Sequence, residues 1–246
     1  MSSTVGVEAT PPMGKRRRGT LGTSRDLRRR LVLHHVPLAV ASTAGLVVLV
    51  ALVPSRGRGF SLPQLASPTG DVALVLLGLT LLIGPANLML RRRNPVNSYL
   101  RRDLGAWAAI FSVVHVIVGF QGHSVGVFGF VDYFVADGRP LTTSFGLGNW
   151  TGLAATVIVV LLLAISTDRS LRELKAERWK DLQRLNYTLF ALVVLHAIFY
   201  GALRRTASPF TLVLICTVIV VLAAQTMGIW LWRHRNASAA AKVTPR

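Results

Sequence analysis

The chain has 246 residues, of which 52% are hydrophobic and 15% charged, and its 28 Lys and Arg against 10 Asp and Glu give a net charge of +18. A soluble domain carries about 25% charged residues, so this composition excludes a disordered chain, a coiled coil and a soluble nucleic-acid-binding domain. The single cysteine, Cys216, excludes a disulfide framework, a zinc site built from several thiolates and covalently attached c-type haem.

The first 30 residues predict a disordered basic leader, because they hold too few apolar side chains to build a core. The apolar stretch after them has 23 residues, and a signal-peptide core has about 7–15. We therefore expect the first apolar stretch to be retained as a membrane anchor.

Six apolar stretches are each long enough to cross a bilayer, which takes about 20 mainly apolar residues. They lack the alternation of strands, so we predict an all-α membrane protein, a bundle of six transmembrane helices that occupies residues 31–232, followed by a cytoplasmic tail at 233–246. The predicted spans are 31–53, 72–90, 104–122, 145–165, 185–203 and 210–232.

One link predicts a helix of its own. Residues 166–184 contain Ser170-x-x-Glu173, which is the capping-box pattern of a helix start. Leucines follow at roughly helical spacing. We predict a surface helix that runs into the fifth span.

Basic residues alternate from link to link. The leader, the second-to-third link, the fourth-to-fifth link and the tail hold 23 Lys and Arg, and the other three links hold 5. Lys and Arg collect in cytoplasmic loops, so we predict that both termini are cytoplasmic. Topology and contact with anionic lipid then explain the net charge, with no nucleic acid as a partner.

The predicted spans contain no mid-membrane acidic or basic side chain, which disfavours an ion-coupled transporter. Histidine remains, and His115 and His196 each lie 11 residues after the start of a span that runs in the same direction. Both imidazoles are then roughly 16 Å below the cytoplasmic edge. Two imidazoles at one depth suit the two axial positions of a haem iron, and the alternative is an interhelical hydrogen bond made by each.

The helix faces around the two histidines differ. Small residues share the face of His115, and a mainly apolar wall shares that of His196. The small residues are Ala108, Ser112 and Gly119, and the wall is Leu189, Leu192, Val193, Phe199 and Tyr200.

The other histidines carry weaker signals. His34 and His35 begin the first span, where contact with water or lipid headgroups and support of a haem or quinone are both open. His123 has no histidine partner at its level, and His234 lies in the basic tail.

The stretch Arg101-Arg102-Asp103-Leu104-Gly105-Ala106-Trp107 and the following His115 resemble the ferric reductase-like transmembrane domain family, and within it the haem-binding subunits of protein-methionine-sulfoxide reductase systems. The resemblance covers roughly residues 70–203. Its further pieces are Arg139-Pro140, residues 146–150, Ser166-Thr167, and Arg178-Trp179-x-x-Leu182 followed by Tyr187 and His196.

The resemblance implies a six-helix bundle in the inner (plasma) membrane that binds haem b without a covalent link. It implies His115 and His196 as the axial ligands of the haem iron. The chain would be the electron-transfer subunit of an oxidoreductase, with a flavin reductase carrying FMN, or a quinone, as donor. The acceptor would be an extracytoplasmic molybdenum oxidoreductase.

One position departs from the pattern. Relatives often carry a further histidine four residues before Tyr187, where this chain has Gln183. Glutamine is not an ordinary haem ligand, which leaves a second haem open. Arg101, Arg102 and Arg178 near the cytoplasmic edge fit either ordinary topology charges or partners for the donor or the haem propionates.

Two other functions remain open at this stage. The chain could be a haem-free membrane scaffold or permease, with the histidines as packing groups, or a quinone-linked cytochrome that needs no flavoprotein. The amount of iron-porphyrin bound per chain distinguishes the scaffold or permease from a haem protein. Reduction by quinol without a flavoprotein identifies the quinone-linked cytochrome.

Overall fold

The computed structural model describes residue 28 and residues 31–53, 61–90, 98–121 and 129–243. Six helices in these ranges are long and apolar enough to cross a membrane. They confirm the six predicted spans, and the chain is a multi-pass membrane protein. The spans are Leu31–Ala51, Leu62–Met89, Leu100–Phe120, Ser144–Ala164, Asp181–Phe199 and Pro209–Ala237.

Seven α-helices make up the described fold: α1 (Val36–Ala51), α2 (Ala66–Met89), α3 (Ser98–Phe120), α4 (Ser144–Ala164), α5 (Asp168–Gln183), α6 (Leu185–Phe199) and α7 (Pro209–Val243). A π-helical turn, Leu31–His35, leads into α1. Two short strands between α3 and α4, β1 (Val135–Ala136) and β2 (Arg139–Pro140), pair in antiparallel register. The predicted leader lies outside the described residues apart from Arg28, and α7 continues into the predicted tail.

Several span boundaries differ from the prediction, and two of the differences have a clear local cause. The second span begins ten residues early, because a 3-10 turn at Leu62–Leu65 is capped by Ser61 and runs directly into α2. The fifth ends at Phe199, since Gly201 takes a left-handed conformation (φ +83°) that L-residues with a side chain adopt rarely. Residues Ala202–Arg204 then form a 3-10 turn.

The predicted surface helix is α5, but its cap is not Ser170. Helix α5 begins at Asp168, and the Thr167 side chain accepts a hydrogen bond from the backbone N–H of Ser170 at 3.1 Å. Trp179 donates from its indole nitrogen to the Ile165 carbonyl at 3.1 Å, which holds α5 against the end of α4.

The helices pack in two groups. Helix α2 packs along α3 and α7, and α4 packs along α6. Half of the most apolar stretch of the second span is buried, against 6% for the first, so α2 is central and α1 peripheral. A cavity lies between the two groups of helices.

We name the two ends of the bundle by the sequence. The basic end is where Met89, Leu100 and Ala164 lie, next to links rich in Lys and Arg. The far end is where Phe120 and Ser144 lie.

Candidate functional site

Two imidazoles meet between α3 and α6. The ring centres of His115 and His196 are 5.9 Å apart, and the ring planes are nearly perpendicular at 85°. The structure therefore brings together the two histidines that the sequence paired, and they face each other within the bundle.

The pair lies closer to the far end than the sequence predicted. Because α3 starts earlier than expected, His115 is roughly 22 Å along the helix axis from Leu100 and only about 7.5 Å from Phe120. His196 is about 4.5 Å from Phe199, the last residue of α6.

A backbone carbonyl fixes each ring. Nδ1 of His115 donates to the carbonyl of Ala66 at 2.8 Å, and Nδ1 of His196 donates to the carbonyl of Gly148 at 2.8 Å. A carbonyl only accepts, so the proton is on Nδ1 and the lone pair of each neutral ring is on Nε2. This arrangement, with one nitrogen held by a backbone acceptor, is how histidines that bind metals are oriented.

Glycines back both rings. A Cβ added at Gly70 of α2 would lie 3.0 Å from Nδ1 of His115, and one added at Gly152 of α4 would lie 2.8 Å from Nδ1 of His196. Sequence reasoning missed these residues, although Gly148 and Gly152 have the four-residue spacing of a close helix contact. The rings reach their carbonyl acceptors because these positions carry no side chain.

Both rings line a cavity of about 1020 Å³ that extends towards both ends of the bundle. The predicted small face of α3 borders it with Ala108, Ser112 and Gly119. Of the predicted wall on α6, the cavity touches Leu189, Val193 and Tyr200 but not Leu192 or Phe199. The small side chains of α3 leave the space that the imidazoles share.

A polar contact closes the far side of His196. The ring of Tyr200 lies 4.8 Å from that of His196, and its hydroxyl donates to Oδ1 of Asn149. Nδ2 of Asn149 donates to the carbonyl of Tyr133 at 2.9 Å. Tyr133 in turn donates to the carbonyl of Phe120 at 3.1 Å, so the loop before β1 is tied to the end of α3.

The basic end of the cavity carries cations and amides. Arg101, Arg102 and Gln183 line it, whereas Arg178 is exposed and does not. Gln183 accepts from Nδ2 of Asn186 at 3.2 Å through its side-chain oxygen. The structure thus separates Arg178, a surface charge, from the two arginines that border the cavity.

His34 and His35 bind a buried acid. Nδ1 of His34 donates to Oδ2 of Asp103 at 2.8 Å, and Nε2 of His35 lies 3.6 Å from Oδ1 of the same residue. The indole of Trp107 donates to Nδ1 of His35 at 3.3 Å. These four side chains, which do not line the cavity, fasten the start of α1 to α3.

An acidic residue, Asp71, lies near the start of the second span. Asp71 lines the cavity, and its Oδ2 has no hydrogen-bond partner within the described ranges. The predicted span began at Val72, and the earlier start of the helix brings Asp71 into it.

His234 does not line the cavity. Its ring lies against that of Trp230 in α7, with ring centres 4.3 Å apart and planes tilted by 57°. His123 lies outside the described residues. Over the ranges that the structure covers, no group of three or more His, Cys, Asp or Glu side chains is arranged to hold a metal ion.

Known proteins resemble this chain over most of its length. Three curated relatives are named protein-methionine-sulfoxide reductase heme-binding subunit MsrQ. That of Deinococcus radiodurans is 30% identical over 70% of this chain and 85% of its own length. That of Herminiimonas arsenicoxydans is 30% identical over 68% of this chain and 71% of its own length. That of Ralstonia nicotianae is 29% identical over 83% of this chain and 87% of its own length. No solved structure matches the chain significantly.

A family model matches residues 69–194, a range that includes His115 and the whole of α4. Its description is ferric reductase like transmembrane component. Because it covers half of the chain and agrees with the curated relatives, the protein belongs to the ferric reductase like transmembrane component family.

Proposed function

We propose that the chain is a membrane electron-transfer subunit that binds haem b non-covalently through His115 and His196. The observation that carries the proposal is the imidazole pair with its ring centres 5.9 Å apart. Curated relatives named as heme-binding subunits support it.

The spacing of the rings fits one iron between them. Metal–imidazole bonds are about 2 Å long, so two rings on opposite sides of one iron have centres roughly 6 Å apart. Both Nε2 atoms carry their lone pairs, because both Nδ1 atoms donate to carbonyls. The apolar wall and small residues of the cavity suit a flat macrocycle.

Bound there, a haem supplies one-electron exchange between ferric and ferrous iron. The chain's own residues hold and shield it. The carbonyls of Ala66 and Gly148 orient the two rings and raise their basicity as ligands. Tyr200, held by Asn149, covers His196 on the far side and limits the entry of water.

We place the basic end in the cytoplasm, because 23 of the 28 Lys and Arg lie in the links and termini on that side. A flavin reductase or a quinol is then the donor at the basic end. The acceptor meets the far end outside the cytoplasm, and the names of the relatives support an oxidoreductase that acts on methionine sulfoxide.

The absorption spectrum of the purified membrane protein tests the haem. We expect a Soret band and reduced α and β bands, and about one iron-porphyrin per chain, as one ligand pair requires. His115→Ala and His196→Ala should each lose most of this haem, whereas His234→Ala should keep it. Imidazole added to His115→Gly should restore the band, which separates loss of a ligand from loss of the fold.

If the wild-type protein is expressed with a haem supply and still contains no haem, the proposed function is wrong and a haem-free scaffold or permease is the remaining function. If neither histidine substitution alters the Soret band, the haem ligands are other residues than His115 and His196. Reduction of the protein by quinol without any flavoprotein would assign the quinone as donor.

A further inference from the structure

Arg205 is an exception to the charge pattern of the chain. It is one of the 5 basic residues in the links predicted at the far end. Arg205 is exposed and borders the cavity there together with Ser208, and the other arginines that line the cavity, Arg101 and Arg102, are at the basic end. The described residues show no ion pair between Arg205 and an acidic side chain.

The backbone around Arg205 is held in place just beyond His196. Gly201 turns the chain, the Arg205 N–H donates to the carbonyl of Ala202 at 3.0 Å, and the Ser208 N–H donates to the carbonyl of Arg205 at 2.8 Å. The hydroxyl of Thr211 donates to the carbonyl of Ala202 at 3.0 Å, which ties this corner to α7. The corner therefore presents Arg205 at the far mouth of the cavity.

A haem has two propionate carboxylates on one edge of an otherwise apolar ring. Burying a carboxylate without a partner is costly, so we would expect this edge at the nearer mouth of the cavity. The imidazole pair lies close to the far end, and an Arg guanidinium binds a carboxylate through two parallel hydrogen bonds. We propose that Arg205 anchors the haem propionates at the far mouth, an inference that rests on the proposed function.

A neighbouring arginine offers a control for this assignment. Arg204 does not line the cavity; its side chain lies over Gly201, where an added Cβ would be 3.4 Å from Nε. Arg204 is thus a matched control with the same charge, one residue away.

Transfer of haem from the purified holoprotein to excess apomyoglobin measures the anchor. We expect Arg205→Gln to lose haem about tenfold faster than the wild type, since a charge-assisted pair of hydrogen bonds is removed. Arg204→Gln should lose haem at the wild-type rate. Arg205→Lys keeps the cation without the two-point geometry, so its rate should fall between those of the wild type and Arg205→Gln.

Resonance Raman spectra give a second readout that a purely structural role would not change. The propionate bending band should shift in Arg205→Gln and stay in place in Arg204→Gln. Equal haem-loss rates and an unshifted band in the two Gln variants would overturn the anchor while leaving the haem protein intact. If Arg205→Gln does not accumulate, equal rates and bands in Arg205→Lys and Arg204→Lys overturn it. A wild type without haem would overturn the proposed function, and the anchor with it.

Discussion

At the scale of single residues, the orientation of the two imidazoles depends on the absence of a side chain at two neighbouring glycines. Gly70 and Gly152 leave the space through which His115 and His196 reach the carbonyls of Ala66 and Gly148. A ring that lost its carbonyl would be free to rotate about its side-chain bonds, and its Nε2 would no longer have a fixed direction. The groups that hold metal-binding histidines in place by hydrogen bonds are worth about 10–100-fold in metal affinity or activity.

Gly152→Ala tests this dependence. The new methyl would lie 2.8 Å from Nδ1 of His196, so the ring must move. We expect the low-spin spectrum of a haem with two histidine ligands to give way partly to a high-spin one, with a stability loss of about 1–3 kcal/mol from overpacking. Absorption spectra and thermal unfolding in detergent measure the two effects.

Gly45→Ala is the control for this change, because nothing lies within 4 Å of its added Cβ and the residue does not line the cavity. Its spectrum should match the wild type, and its melting temperature should match or slightly exceed it, since alanine is the better helix former. An unchanged spectrum in Gly152→Ala would show that the ring does not need this space.

At the scale of the helices, α2 is the element on which the bundle is built, since it packs along both α3 and α7. Its contact with α7 is close because Gly78 faces Thr217 and Val221 without a side chain of its own. The side-chain amide of Gln225 on α7 also donates to the carbonyl of Leu81 on α2 at 2.9 Å. Small residues at such a seam allow backbones to approach where lipid offers no hydrophobic driving force.

Gly78→Ala should separate α2 from α7. The added methyl would be 2.8 Å from Cγ2 of Thr217, and we expect the free energy of unfolding to fall by about 1–3 kcal/mol. Thermal unfolding monitored by circular dichroism measures it.

Gly84 offers a comparison on the same helix, since its added Cβ has nothing within 4 Å. Gly84→Ala should leave stability unchanged or raise it by up to about 1 kcal/mol, as alanine is the better helix former. Equal effects of the two changes would contradict the close seam.

At the scale of the whole molecule, the orientation in the membrane decides which partner meets which mouth of the cavity. In a Cys216→Ser background, we expect Thr142→Cys, exposed at the far end, to react with a membrane-impermeant thiol reagent on intact cells. Glu173→Cys, exposed on α5, should react only after lysis. The reverse pattern would place the basic end outside the cytoplasm and contradict the charge argument.

Much of this architecture could be predicted from the sequence, because each transmembrane span is recognisable from its own apolar composition. The pairing of His115 with His196 followed from their equal distance along parallel helices. The contact of His34 with Asp103 could not be predicted, since it joins residues 69 positions apart on two different helices. The same holds for the glycines behind the imidazoles, whose role depends on which helix faces them.

The position of the imidazole pair has an electrical consequence. With the basic end in the cytoplasm, the step from Leu100 to His115 covers roughly 22 Å of a hydrocarbon layer about 30 Å thick. A negative charge that travels this distance outwards crosses most of the membrane potential, and a full crossing is worth about 2.3 kcal/mol per 100 mV. A cell interior at negative voltage would therefore assist the outward delivery of reducing power, and collapsing that voltage with an ionophore should slow it.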